Sequence, residues 1–313
     1  MRRKISVIGA GKTGATTAQR LAERNYADIV LFDVIEGLAE GEALDLLEAG
    51  PVVGYDVSVS GITVKDDAGY EQLADSDIVI MTGGIARKPG MSRDDLVKTN
   101  QKIMQGWAEA MAKFAPNTIL IVLSNPVDAI TQYAAHVTGF PRQRVIGQAG
   151  ILDSARFRTF IALELGVSVQ NVDAYVLGSH GDAMVPLPRY TTVAGVPLTE
   201  LLPQDKINAL VQRTRDGGAE IVNLLKTGSA FYAPSAALAE MTDAIVYDKK
   251  KILPCTVMLN GEYGLSGVFA GVPVKLGQGG AEEIVEWKLS EDELAALHKS
   301  ASSVKEVLKV MGI

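Results

Sequence analysis

Gly9-x-Gly11-x-x-Gly14 stands between the β-branched run Lys4-Ile5-Ser6-Val7-Ile8 and a helical pattern with Ala18, Leu21 and Ala22 on one face. Glycines at this spacing allow a tight turn out of a strand, close approach of main chain to a pyrophosphate, and packing of helix on strand. The helix start then offers free N–H groups and a partial positive charge to the phosphates. Asp33 lies about 20 residues further on, at the end of the run Ile29-Val30-Leu31-Phe32, where this pattern expects an acid. Its carboxylate can accept from both ribose hydroxyls and would repel a 2′-phosphate, which favours NAD over NADP. Gly11-Lys12-Thr13 imitates the tail of a phosphate-loop motif, but that motif needs glycine where Ser6 stands inside the strand. A nucleoside triphosphatase is therefore a poor reading, and Lys12 is expected to be solvated near the pyrophosphate.

Short apolar runs recur at 57–62, 78–82, 118–123 and 144–147, separated by helical segments. The alternation predicts right-handed βαβ units and a doubly wound parallel sheet, an N-terminal Rossmann domain over residues 1–147. At 313 residues the chain exceeds one ordinary core, so a second domain is expected over 148–313. There the pattern becomes α+β: a helix at 152–162, a strand at 172–177, long helices at 206–225 and 234–246, strands at 252–259 and 268–276, and a last helix. Ser290 and Glu293 form a capping box for that helix. Gly217-Gly218 is expected to break or bend the helix that contains it.

A net charge of −7 argues against nucleic acid or an anionic membrane as partner. The single cysteine, Cys255, excludes an internal disulfide and fits a reducing compartment. No window approaches a membrane span, and the first apolar run is too short for a signal peptide, so a cytoplasmic protein is expected. Against this acidic background Arg87, Lys88 and Arg93 stand out. They lie in a segment, Gly83 to Leu96, that holds two glycines and a Pro-Gly pair between an apolar strand and a helix starting near Ser92. Open α/β sheets bind ligands at such strand ends, although a solvated basic loop is the plain alternative.

Of three histidines, His136 reads as a surface or packing residue and His298 as solvated. His180 is held between glycines in Gly178-Ser179-His180-Gly181-Asp182 at a strand end, where a side chain faces a cleft. Asp153 and Arg156 are three apart on one helix face. Tyr247-x-x-x-Lys251 matches a reductase pattern but falls in a run of charges, and reads as a solvated helix end.

Taken in order, Gly9-Ala10-Gly11-x-x-Gly14, Asp33, Ala86 to Arg93, Ser124-Asn125-Pro126, Leu152-Asp153-Ser154-Ala155-Arg156, Gly178 to Asp182 and Gly228 to Pro234 resemble the lactate/malate dehydrogenase family over the whole length, in its lactate-dehydrogenase-like malate dehydrogenase branch. The resemblance implies a reversible NAD-dependent oxidation of a 2-hydroxy acid with no metal. His180 would be the general base, oriented by Asp153. Arg156 would grip the C1 carboxylate as a fork, Arg93 would polarise the C2 carbonyl, and Asn125 would bind the substrate oxygen or the cofactor side of the site. Gly9, Gly11, Gly14 and Asp33 would hold the cofactor. Arg87 stands where lactate dehydrogenases have glutamine; a cation there answers the second carboxylate of a four-carbon diacid, and Ala230 leaves room for it. Malate and oxaloacetate are thus the expected substrates, with lactate dehydrogenase or another 2-hydroxy acid dehydrogenase as the alternative and a non-catalytic NAD-binding sensor as a remote one. The family also implies a homotetramer or homodimer, with Arg158 or the helix from Lys206 at an interface. One departure is Lys12-Thr13, where many relatives have an apolar pair.

Overall fold

The computed structural model describes residues 2–65, 68–85 and 92–313, apart from the side chain of Arg93. The first half contributes strands β1 (Arg3–Ile8), β2 (Ala27–Asp33), β3 (Val59–Thr63), β4 (Ile78–Met81), β5 (Ile119–Val122) and β6 (Val145–Gly147). Helices α1 (Lys12–Ala22), α2 (Leu38–Val53), α3 (Arg93–Phe114) and α4 (Val127–Thr138) connect them. The six strands pair in parallel in the order β3-β2-β1-β4-β5-β6. The connections reverse direction between β1 and β4, and open α/β sheets form their ligand crevice at that point. Every residue of β4 and β5 is buried, which explains their unbroken apolar sequences: helices cover both faces.

The second half begins with α5 (Gly150–Leu165) and continues through β7 (Val172–Asp173), β8 (Val176–Leu177), β9 (Val185–Pro186), β10 (Thr192–Val193), β11 (Val196–Pro197) and the short α6 (Leu198–Leu201). Then come α7 (Gln204–Leu225), α8 (Tyr232–Val246), β12 (Lys251–Asn260), β13 (Ser266–Gly277), β14 (Gly280–Ile284) and α9 (Glu291–Met311). The β12–β13–β14 meander does not form a sheet of its own. Thr256 of β12 pairs with Gly147 of β6, and the result is one nine-stranded sheet running across residue 147. The larger core follows it, joining β1–β6 to β12, β13 and α9, while a smaller one gathers Phe157, Ile161, Val172, Ile207 and Leu210 between α5, β7 and α7.

The run at 172–177 is not one strand. Val172 and Asp173 pair with β10, Val176 and Leu177 with β9, and the Tyr175 carbonyl between them accepts from Leu187 N–H at 2.9 Å. Partners in two different sheets force the chain to turn at Ala174-Tyr175. Ser290 and Glu293 form their capping box, and Ser92 and Asp95 form a second at the start of α3. Among the described residues no helix is long and apolar enough to cross a membrane.

Candidate active site

The turn from β1 into α1 is built of glycines for different reasons. Gly9 adopts φ +93°, and a Cβ there would stand 2.8 Å from Gly83 Cα. A Cβ on Gly14 would lie 1.7 Å from the Gly9 carbonyl oxygen, so only glycine lets the helix pack on its own turn. A Cβ on Gly11 would meet nothing within 4 Å. Among the described residues nothing requires glycine there, and the open space suits close approach by a bound group. Gly11 caps α1 without a side-chain acceptor, leaving the first-turn N–H groups to the cleft. Asp33 ends β2, where Oδ2 accepts from Ala10 N–H at 2.7 Å and Oδ1 from Ile35 N–H at 3.0 Å. These bonds aim the carboxylate and leave each oxygen a lone pair. A cavity of about 490 Å³ runs along Gly9, Gly11, Gly14 and Asp33 and is closed by Ser229 and Phe231 from the second half. Lys12 is exposed, with Nζ 5.5 Å from the centre of the Phe231 ring.

A second cavity of about 420 Å³ shares Thr13, Thr82, Gly84, Ile85 and Ser229 with the first, so the two form one cleft. His180, Arg156, Asn125 and Ala230 line this inner part. Asp153 lies on the first turn of α5, 1% exposed, and its Oδ2 is 2.9 Å from His180 Nδ1. Arg156 Nη1 donates to the other oxygen, Oδ1, at 3.2 Å. The neighbouring Asp153 charge raises the His180 imidazole above its ordinary value, against the opposing effects of burial and Arg156.

Two glycines seat Arg156. α7 runs unbroken through Gly217 and Gly218, contrary to the expected bend. The reason for them is packing: a Cβ on Gly217 would stand 3.0 Å from Arg156 Cδ, and one on Gly218 3.5 Å from Arg156 Nη2. The guanidinium lies against bare helix backbone.

Asn125 is exposed at the end of β5; its carbonyl accepts from Asn100 Nδ2 at 2.7 Å, while Asn100 Oδ1 accepts from Ile85 N–H at 2.9 Å. Asn100 thus ties the cleft wall to the start of the basic loop. Arg87 and Lys88 lie outside the described residues, as does the side chain of Arg93, whose main chain opens α3. His136 is exposed. His298 is not solvated: it is half-buried, with Nε2 2.8 Å from the Tyr263 carbonyl oxygen. Arg158 is not simply solvated, since its Nε donates to Val172 O at 2.7 Å and ties α5 to β7.

Three residues in or behind the cleft wall escaped the reading of the sequence. Asp128 and Thr256 meet behind His180. Gln148 is 1% exposed, lines the inner cavity, and its amide makes no hydrogen bond among the described residues. A polar group so placed is satisfied only by something in the cleft. With the open Cβ position of Gly11, it shows that the cleft suits an extended polar ligand such as a nicotinamide dinucleotide.

A dinucleotide cleft at the switch point of a parallel sheet, continuous with an imidazole–carboxylate–guanidinium cluster, defines an NAD-dependent oxidoreductase. The chain belongs to the lactate/malate dehydrogenase family. Residues 3–147 match the model for the lactate/malate dehydrogenase NAD binding domain, and residues 151–311 that for the alpha/beta C-terminal domain. It is 54% identical over 311 residues to the malate dehydrogenase of Thermomicrobium roseum, covering 99% of each chain. Its fold is similar to the apo malate dehydrogenase of Picrophilus torridus, with TM-score 0.96 and 48% identity over 99% of this chain and 97% of that one. It is also similar to a Cryptosporidium parvum lactate dehydrogenase bound to lactic acid and nicotinamide adenine dinucleotide, with TM-score 0.95 and 38% identity over 100% of this chain and 98% of the other.

Proposed function

We propose that the chain is a malate dehydrogenase that interconverts (S)-malate and oxaloacetate with NAD. The observation that carries the reading is the 2.9 Å contact between His180 Nδ1 and Asp153 Oδ2 at the wall of the inner cavity, beside Arg156. A buried carboxylate on Nδ1 leaves Nε2 to the substrate and raises its proton affinity. His180 takes the hydroxyl proton of malate as the C2 carbonyl forms, and returns it in the reverse direction. NAD, when bound, would supply the redox chemistry as acceptor of the C2 hydride. Gly9, Gly11 and Gly14 would hold its pyrophosphate, Asp33 its ribose, and Asn125 its nicotinamide end or the substrate oxygen. Arg156 holds the C1 carboxylate in a two-pronged grip. Arg93 polarises the carbonyl, and Arg87 answers the far carboxylate in the room left by Ala230. The domain at 1–147 thus supplies the cofactor residues together with Arg87, Arg93 and Asn125, and the domain at 148–313 supplies Asp153, Arg156 and His180.

The choice of malate over lactate is supported by Arg87 and by relatives named malate dehydrogenase at 54–57% identity. The enzyme is read as a cytoplasmic homodimer or homotetramer, which the exposed Leu44, Leu47, Val52 and Val53 of α2 support, at 57%, 42%, 88% and 57% exposure. The test is NADH absorbance with oxaloacetate and pyruvate in parallel; faster turnover of pyruvate would overturn the assignment.

A further inference from the structure

The first turn of α4 holds a carboxylate that the chemistry above does not use. Asp128 is 4% exposed. Its Oδ1 accepts from Thr256 Oγ1 on β12 at 2.7 Å, and its Oδ2 accepts from the main-chain N–H of His180 at 2.9 Å. A buried charge is costly unless it is fully partnered, and a neutral side chain would fill the space more cheaply. The N–H it holds lies in a turn outside any regular ladder, between Gly178 at φ +77° and Gly181 at φ +120°. Successive N–H groups of this turn are anchored one by one: Gly178 to Gly271 O at 2.8 Å, Ser179 to Ser300 Oγ at 2.7 Å, and His180 to Asp128. The first two anchors come from the second half. Only the third is charged, and only it comes from the cofactor half.

We propose that Asp128 is a positioning residue for His180: its carboxylate clamps the main chain of the His180 turn to the cofactor half and presents a second negative charge to the imidazole. This rests on His180 being the base. Among the described residues the charges that face His180 are Asp153 and Arg156 on α5 and Asp128 on α4, and those that face Asp128 are His180 and Asp153. Burial pushes the Asp128 carboxyl up to about 6, so the clamp loses its charge as the pH falls through that range. At neutral pH and above the clamp is charged. In acid it loses both its charge and part of its hold.

Asp128→Asn separates clamp from charge, because the amide oxygen can still accept from His180 N–H while the amide nitrogen donates to Thr256 Oγ1. The expected result is a roughly tenfold fall in kcat, a KM for oxaloacetate and an NADH Kd within about threefold of the parent, and a downward shift of the pKa that governs kcat/KM. Thr256→Val should lower kcat severalfold at unchanged KM, with Thr256→Ser restoring it; this pair carries the test should Asp128→Asn not fold. An Asp128→Asn enzyme with parental kcat and pH profile overturns the proposal, as does a Thr256→Val enzyme with parental kcat. His180→Asn is assayed alongside. If it stays active, the base assignment falls and this proposal with it; if it is dead while Asp128→Asn behaves as parent, only the role given to Asp128 falls.

Discussion

Arg156 lies across the main chain of Gly217, whose absent Cβ would stand 3.0 Å from Arg156 Cδ. Helix propensity alone would favour alanine at that position by about 1 kcal/mol. A methyl group at 3.0 Å would displace the Arg156 side chain by a few tenths of an ångström from its seat beside Asp153. Misplacement on this scale disturbs a forked carboxylate contact more than it disturbs folding. Gly217→Ala is therefore expected to keep or slightly raise the melting temperature while raising the KM for oxaloacetate by about tenfold. Gly218→Ala, with its Cβ at an ordinary 3.5 Å from Arg156 Nη2, should do much less. Thermal melts and steady-state kinetics on the two variants decide the point; equal effects would refute the seat.

The glycines of the first turn make a second pair of opposites. Gly14→Ala forces a methyl to 1.7 Å from the Gly9 carbonyl, so the turn must open and the protein should lose several degrees of melting temperature. Gly11→Ala meets nothing within 4 Å, and the protein should stay folded at a cost of about 1 kcal/mol for a poorer helix cap. Its loss should appear in the cofactor instead, as an NADH Kd at least tenfold weaker by fluorescence titration. A Gly11→Ala protein that binds NADH like the parent would mean that no ligand main-chain approach occurs there.

Asp153 raises the His180 imidazole through its charge, so removing that charge moves the imidazole down. Malate oxidation needs neutral His180 and therefore fails on the acid side; oxaloacetate reduction needs the protonated form and fails on the alkaline side. Both limbs should move to lower pH in Asp153→Asn. Oxidation at neutral pH should also fall by about 10²–10⁴-fold, because the amide no longer stabilises the imidazolium that forms. Rate–pH profiles in the two directions check this, and limbs that stay in place would detach Asp153 from the base.

Much of this architecture was legible in the sequence because single residues reported local demands. The strand–glycine–helix context of Gly9 to Gly14 and the fully apolar β4 and β5 point to a parallel sheet before any pairing is known. His180 was legible through its glycine neighbours, and Asp153 with Arg156 through helical spacing. What was hidden depends on partners distant in the chain. Asp128 stands 52 residues from His180 and 128 from Thr256, in a helix start where an acid reads as an ordinary first-turn residue. Gly217-Gly218 looked like a helix breaker because its use, room for Arg156, lies on another element. β9, β10 and β11 are two residues each, too short to show a period of two. The extension of the first sheet by β12 was invisible for the same reason, since one pairing, Thr256 with Gly147, joins the halves.

The proposed choice of a diacid rests on Arg87. A diacid brings a second carboxylate into an inner cavity whose described guanidinium is Arg156, already paired to Asp153 at 3.2 Å. Taking away the partner of a desolvated carboxylate costs about 2–5 kcal/mol, or tens-fold and more in preference. Arg87→Gln should therefore lose oxaloacetate turnover, chiefly through KM, and gain pyruvate turnover, because the amide no longer leaves an unpaired cation beside a methyl group. His180 and Asp153 stay untouched, so kcat with the better acid should remain within about tenfold of the parent. Parallel NADH assays with both acids read the ratio directly. If it shifts by less than about threefold, the second carboxylate is bound elsewhere, and Arg156 with the loop's Arg93 becomes the pair to vary.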